Sequence, residues 1–519
     1  MEYINLLGKE MSKLSIFNRR SFLKTSALSV VALSAGLVLP KLSAFASAAK
    51  LHNNPLAIPA LDMGTKQGNK TIFNLEIQNG ETEFFKGVKT KTRGVNGALL
   101  GPTLRMKNGD DVQLNVKNSI GETTTLHWHG LHIPAKYDGG PHQPIKHGET
   151  WSPEFTIMQK AANFWYHPHL MGKTAEHVWQ GIAGMIIVDD EESEKLSLPK
   201  EYGVDDIPLV LQDRRFFKDG SMTYKPSRHD IMAGMIGDVP LANGTIEPYF
   251  EAKKQLLRLR LLNGANASIY ELAFSDNRSF KQIATDGSML EKPYEINSII
   301  LSPGERAEIV VDVSGGNNFM LLSKPVEGGG MMGGGMGSGM MGGSSSREEY
   351  GIPFNFLEIR PAENLQKSPS IPSKLTNINW LDEKQVDKER SFLMSMQMGP
   401  MAMLGSGKSH TINGKSMDMK RIDETIKLDD IEIWELSNDS NFAHPFHVHD
   451  VQFQILSRNG KKPHAGERGL KDTVLVNPNE IVRFIAKFDD FADEKYPYMY
   501  HCHILEHEDA GMMGQFLVV

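Results

Sequence analysis

The chain of 519 residues carries 56 Lys and Arg against 63 Asp and Glu, a formal net charge of −7, with 40 % hydrophobic and 23 % charged residues. That length exceeds what one hydrophobic core fills and predicts roughly two to four domains, while the acidic balance argues against a nucleic-acid partner, since no basic excess exists to neutralise phosphates. The only cysteine, Cys502, excludes an internal disulfide.

The first predicted element is an export leader over residues 1–48. Asn18-Arg19-Arg20-Ser21-Phe22-Leu23-Lys24 precedes an apolar, charge-free run from Thr25 to Leu39 and then small residues around Ala44-Phe45-Ala46-Ser47-Ala48. A basic region, an apolar region and a small-residue cleavage site make a signal. The paired arginines resemble a twin-arginine signal, read by the machinery that exports folded proteins, with Asn18 where Ser or Thr is usual. An uncleaved anchor is the weaker alternative because the run is short for a membrane span. The first ten residues match no part of a signal, which puts the expected start at Met11. The expectation is a periplasmic protein with no stable membrane span in its mature form.

Beyond the leader the chain repeats itself three times. An Asn-Gly pair recurs at Asn96-Gly97, Asn243-Gly244 and Asn413-Gly414, and each precedes an alternating apolar and polar segment ending in Asn118, Asn263 or Asn438. Such alternation marks a half-buried strand. Gly148-Glu149, Gly304-Glu305 and Asn479-Glu480 then open a second strand-like run in each copy, leading to Asn163-Phe164-Trp165-Tyr166, Asn318-Phe319-Met320-Leu321 and Pro497-Tyr498-Met499-Tyr500. The prediction is all-β: three similar domains of short strands and Gly, Pro and Asn turns, each a Greek-key sandwich, over 49–195, 196–365 and 366–519.

The copies differ in their histidines. The first holds His127-Trp128-His129 and His167-Pro168-His169, and the third holds His444-Pro445-Phe446-His447-Val448-His449 and the tail motif His501-Cys502-His503 with His507. The middle copy has Ala267-Ser268-Ile269 and Leu322-Ser323-Lys324 instead, and reads as a spacer without metal ligands. A lone His-x-His is most often two residues on one strand face with no metal. Ten of the eighteen histidines in four short motifs, around the one cysteine, leave little room for accident. His132, His142, His147 and His177 lie outside those motifs and read as surface residues.

The methionines are also unevenly placed. Of 27, twelve fall in two stretches: Met331, Met332, Met336, Met340 and Met341 among the glycines of 328–343, and Met394, Met396, Met398, Met401, Met403, Met417 and Met419. Glycine at that density predicts a loop with no packed core, where soft thioethers could gather Cu(I). The plainer alternatives are a linker for the first stretch and core filling for the second.

The tail carries the most specific chemistry. A thiolate, imidazoles and a weak axial thioether form the ligand set of a blue copper site, and Cys502, His507 and Met512 fit it. On a strand, Cys502 faces one way and its flanking histidines the other. The segment therefore reads as a short covalent bridge for electrons between a blue copper and a second metal centre. The outer two copies must then face each other, each giving four histidines to the shared site.

These motifs resemble the multicopper oxidases, in particular the bacterial copper-efflux and laccase-like members, over nearly everything after the leader. The resemblance implies three cupredoxin-type sandwiches and four copper ions. The type 1 copper would take His444, Cys502, His507 and axial Met512, and the type 2 copper His127 and His447. One type 3 copper would take His129, His167 and His503, the other His169, His449 and His501. The resemblance also makes Asp138 and Glu508 proton carriers, where the residues alone suggest a turn residue and a solvated carboxylate. It implies O2 as acceptor, Cu(I) and small phenols as electron donors, and a role in copper tolerance. This chain departs from the efflux members in a shorter methionine insertion without interleaved histidines, and only Asp439, Asn441 and Met401 offer themselves as substrate-copper ligands. The alternatives are a laccase-like phenol oxidase with incidental methionines and a non-catalytic copper-binding or scaffold protein. A two-domain copper nitrite reductase ranks last, since it needs no His-Cys-His bridge.

Overall fold

Each of the three alternating segments forms a strand beside a parallel neighbour earlier in its copy. Asp111–Asn118 lies along Lys70–Phe85, Leu256–Asn263 along Asp206–Arg214, and Ile431–Asn438 along Lys388–Met396. This is a computed structural model, and it describes residues 54–324, 354–396 and 410–519. The export leader, the Gly/Met loop at 328–343 and Met398, Met401 and Met403 lie outside the described residues. Among the described residues, no helix is long and apolar enough to cross a membrane.

The recurrent asparagines perform the same task in all three copies. Asn96, Asn243 and Asn413 take left-handed backbone with φ of 53°, 49° and 52°, which Asn tolerates better than most residues. Each side chain then pins the first strand of its parallel pair. The Oδ1 atoms accept from the amides of Glu76, Val210 and Leu393, and the Nδ2 atoms donate to the carbonyls of Asn74, Pro208 and Ser391. Asn118, Asn263 and Asn438, which end the second strands, each donate from Nδ2 to two backbone carbonyls. Each copy thus fixes the loop at the end of its central strand, next to the positions where the outer copies carry histidine.

The described strands form six sheets, packed as three sandwiches of the cupredoxin type. Phe73, Leu114, Trp128, Phe164 and Ile186 fill the first. Leu209, Leu259, Leu272, Ile309 and Phe356 fill the second, whose sheet also takes the short strand Asn54–Pro55. Trp434, Phe446, Phe484, Tyr500 and Phe516 fill the third, together with Cys502 and Met512.

Leu256–Asn263 departs from the half-buried expectation, since both of its faces are covered. Its charged residues are enclosed by ion pairs. Arg260 reaches Asp206 at 2.6 and 2.9 Å, Glu308 at 3.0 Å and Asn163 of the first sandwich at 2.9 Å. Removing one partner of a buried pair leaves the other charge uncompensated, at a cost of about 3–5 kcal/mol. Arg260→Ala should therefore lower unfolding stability by about that amount in urea; a loss below 1 kcal/mol would mean that water reaches the pair.

Candidate metal centres

The strand Tyr498–Cys502 builds both centres. It pairs with His444–Val448 so that Phe446 lies opposite Cys502 and His447 opposite His501. Directly opposite residues share a face. Cys502 therefore points with His444, Phe446 and Val448 into the third sandwich, and His501 points with His447 out of it. Beyond Cys502 the chain turns into the helix Leu505–Asp509, which brings His507 back over the sulfur and explains the spacing of five.

On the inner face, Cys502 Sγ lies 3.5 Å from His444 Nδ1 and 3.7 Å from His507 Nδ1, and those two nitrogens are 3.3 Å apart. His444 Nε2 is 2.8 Å from Ser440 Oγ, and His507 Nε2 donates to the Met232 carbonyl at 3.1 Å. With Nε2 occupied in each ring, both Nδ1 lone pairs are left to converge with the sulfur. Met512 is fully buried in the same cluster, and the amide of Cys502 donates to its carbonyl at 3.0 Å. Burial pushes the Cys502 thiol up from its ordinary pKa, so a thiolate needs a cation beside it.

On the outer face, His501 meets seven other buried imidazoles. His127 and His129 lie on a short strand whose Trp128 enters the first core, with His127 opposite His167. His501 Nε2 is 3.1 Å from His169 Nε2 and 3.2 Å from His449 Nε2, and His129 Nδ1 is 3.4 Å from His167 Nε2. The ring of His503 is centred 5.0 Å from that of His129 and 5.3 Å from that of His167. His127 donates from Nδ1 to the carbonyl of Asp138 at 2.7 Å, and His447 from Nδ1 to that of Asp472 at 2.8 Å. Their Nε2 atoms, and both nitrogens of His503, are buried with no hydrogen-bond partner. Buried polar atoms left unsatisfied in this way call for a bound ion or water, so the donor set fits copper.

Two carboxylates reach the rings of this pocket. Asp138 Oδ2 accepts from His449 Nδ1 at 2.7 Å. Glu508 places one oxygen 3.3 Å from His169 Nδ1 and the other 3.3 Å from His501 Nδ1. Both acids are buried, Asp138 at 2 % exposure and Glu508 at 1 %, which corrects the reading of Glu508 as a solvated carboxylate. Burial raises the Asp138 carboxyl, but His449 and His127 outweigh it and hold the group below the usual range. For Glu508, burial and then Asp509 push the pKa well above that range.

Several further groups at the site were not expected from the sequence. Asp472 accepts from His129 Nε2 at 3.1 Å and is itself clamped by Arg306 at 2.7 and 2.5 Å. Arg306 belongs to the middle sandwich, which is therefore more than a spacer. From the same loop, Gly304 has φ of +87°, and a Cβ there would sit 2.8 Å from the His503 ring. Only glycine fits both limits. His410 is buried, with its ring centred 4.6 Å from that of His507. His177, expected at the surface, is fully buried with Nδ1 3.0 Å from Thr124 Oγ1. His132 and His142 are half-buried and His147 is exposed. Arg306 and Asp472 carry no local pattern; the Gly304-Glu305 step was visible, but only as a strand signal.

Comparison with known proteins bears on the same pattern. The multicopper oxidase family models match residues 76–193 and 386–519. The multicopper oxidase mco of Staphylococcus aureus is 37 % identical over 90 % of this chain and 92 % of its own length. The cell division protein FtsP of Proteus mirabilis is 33 % identical over 96 % of this chain and 98 % of its own. The structure of CueO, a laccase-like multicopper oxidase from Ochrobactrum sp., is 40 % identical, superposes with a TM-score of 0.81, and covers 90 % of this chain and all of its own. The chain belongs to the multicopper oxidase family. It is an oxidase that uses oxygen as its acceptor.

The ligand rings set a pH dependence. Burial first, then neighbouring rings, hold His129, His167, His169, His447 and His501 well below the ordinary imidazole value. Burial is also the main cause that lowers His449 to about 4 and His444 and His503 to about 3. The unfolded chain takes up these protons near pH ~6.5, whereas the folded metal-free chain refuses them until far lower, so acid favours unfolding. Glu508 acts in the opposite sense: it stays protonated in the fold, so its contribution is present in acid and is lost as pH rises past the ordinary carboxylate value. Burial raises Asp286, Asp450, Glu506 and Asp509 in the same way, and the eight rings outnumber these five carboxyls. The urea midpoint of the metal-free protein should fall steadily between about pH 6.5 and 4; a flat midpoint would contradict neutral, buried ligand rings.

Proposed function

We propose that the protein is a periplasmic oxidase that takes single electrons from Cu(I) and small phenols at His444, Cys502, His507 and Met512, and delivers them to dioxygen at the eight-histidine pocket. The observation that carries this reading is the strand Tyr498–Cys502, which turns the sulfur to one three-donor cluster and His501 to the other. Four coppers, when bound, supply the storage for the four electrons that reduce O2 to water. The ligand roles follow the family pattern: His127 and His447 for type 2; His129, His167 and His503 for one type 3 copper; His169, His449 and His501 for the other.

The chain's own residues then have separable tasks. His501 Nδ1 lies 3.0 Å from the Cys502 carbonyl, which gives electrons a short path from sulfur to pocket. Glu508, whose burial favours its protonated form, stands beside His169 and His501 as a proton donor. Asp138, held as a carboxylate, accepts the hydrogen bond of His449 Nδ1, which orients that ring, and stands beside the pocket as the second proton carrier. Arg306 and Asp472 fix the His129 ring.

Support for Cu(I) as a substrate comes from the methionine stretches, and for phenols from the relative described as having oxidase activity towards lignin model compounds and lignosulfonate. A role in copper tolerance and export by the twin-arginine route complete the proposal, the latter resting on the leader. The relative named a cell division protein raises a role other than oxidation, against which every ligand position is filled here.

Cys502→Ser is expected to abolish the blue absorption and oxygen uptake while leaving the circular dichroism of the fold unchanged. Blue colour in that variant would refute the assignment. Cu(I) and phenol turnover, followed by oxygen uptake with and without residues 328–343, separates the substrates: a drop with Cu(I) alone supports gathering of copper by that loop, and an unchanged rate removes it.

A further inference from the structure

The strand Met513–Val518 runs antiparallel to Tyr498–Cys502, with Met513 directly opposite His501. Residues opposite each other share a face, as do residues two apart on one strand. Met499, His501 and Met513 therefore stand on the face that carries the histidine pocket, while Cys502 and Met512 enter the core.

Met499 and Met513 pack with Met417 and with the half-buried Met171 and Met419, and the hydrophobic members of this cluster are methionine without exception. The group runs inward from Met171 and Met419 to Met499 and Met513, each 1 % exposed. It reaches the pocket wall at Gly140, where a Cβ would lie 3.9 Å from Met499 Cγ and 3.3 Å from Asp138 Oδ2. At the outer rim His142 Nε2 is 2.8 Å from Gln515 Oε1, and Gln515 Nε2 donates to the Met419 carbonyl at 3.3 Å.

A single buried methionine is ordinary gap filling. The cores of the three sandwiches are filled mainly by Leu, Ile, Val, Ala and aromatic rings, with Met106, Met394 and Met512 scattered singly among them, and methionine is only 27 of 519 residues. Three buried methionines with two half-buried ones packed against them, the innermost beside the wall of the histidine pocket, offer donors for a soft ligand. Thioethers select Cu(I) and are neutral, so binding displaces no proton.

We propose that Met171, Met417, Met419, Met499 and Met513, with His142 at the rim, form a Cu(I) site through which copper enters the eight-histidine pocket. Its transfer is a ligand exchange from thioether sulfur to imidazole nitrogen, with no change of oxidation state. The inference rests on the pocket holding copper, as proposed above, and it places loading of the pocket on the side of the sheet opposite Cys502.

The test uses Met171→Leu/Met417→Leu/Met419→Leu in the full chain, a set of near-isosteric changes. With all resident coppers in place, Ag(I) titrated against a chelating dye should bind with one equivalent fewer in the variant than in the parent. Loaded with Cu(I) under argon, the metal-free variant should fill the histidine pocket about tenfold more slowly, while the blue absorption of aliquots stripped of free metal and then oxidised with ferricyanide should rise at the parent's rate. Equal Ag(I) stoichiometry would overturn the site, and lost Ag(I) with an unchanged filling rate would overturn the route. Should the triple variant fail to fold, Met171→Leu/Met419→Leu at the half-buried mouth gives the same readings. Failure of the earlier functional reading looks different: the parent itself would take up no copper in the pocket.

Discussion

Alternation of side chains along one short strand governs everything else in this molecule. Between His501 and Cys502 the backbone advances by a single residue, yet their side chains enter different surroundings. One is the apolar core of a sandwich, where a sulfur and two imidazole nitrogens converge. The other is the seam between the first and third sandwiches, where eight imidazoles meet. Neither environment could be moved by one residue without exchanging the two donor sets.

Holding that register requires rigidity on both sides, and much of it comes from outside the strand. Asp509 accepts the amides of Thr174 and Ala175 at 3.0 Å each, tying the tail helix to the start of a helix in the first sandwich. Arg306 joins Asn163 of the first sandwich to Asp472 of the third. The middle sandwich binds no metal through these contacts, but it sets the distance at which the other two face each other. Buried charge is tolerated because it is paired at nearly every point, and one missing partner would expose the full desolvation cost.

The fold was legible from the sequence because its repeat is local. An asparagine that pins a strand does so with its own side chain, so Asn96, Asn243 and Asn413 announced three like modules before any pairing was known. The candidate site was legible for a related reason: ligands adjacent on a strand are adjacent in sequence, as at His127 and His129 or His447 and His449. What stayed hidden depends on contacts between distant segments. Arg306, Asp472, Gly304 and His410 acquire their places only when three sandwiches close on one another. His177 has the same explanation, since its burial follows from the packing of a short helix that no periodicity marked. The methionine cluster was half visible: Met417 and Met419 ended the methionine stretch that begins at Met394, while Met499 and Met513 join them through sheet pairing and Met171 through packing.

The central claim is that the single sulfur connects a one-metal site to a three-metal site within one chain. Metal analysis of fully loaded, desalted protein tests it most directly. The account predicts four tightly held copper atoms per chain, three of which remain when Cys502 is replaced by serine. A parent protein that saturates at one or two coppers, or a variant that keeps all four, would contradict it.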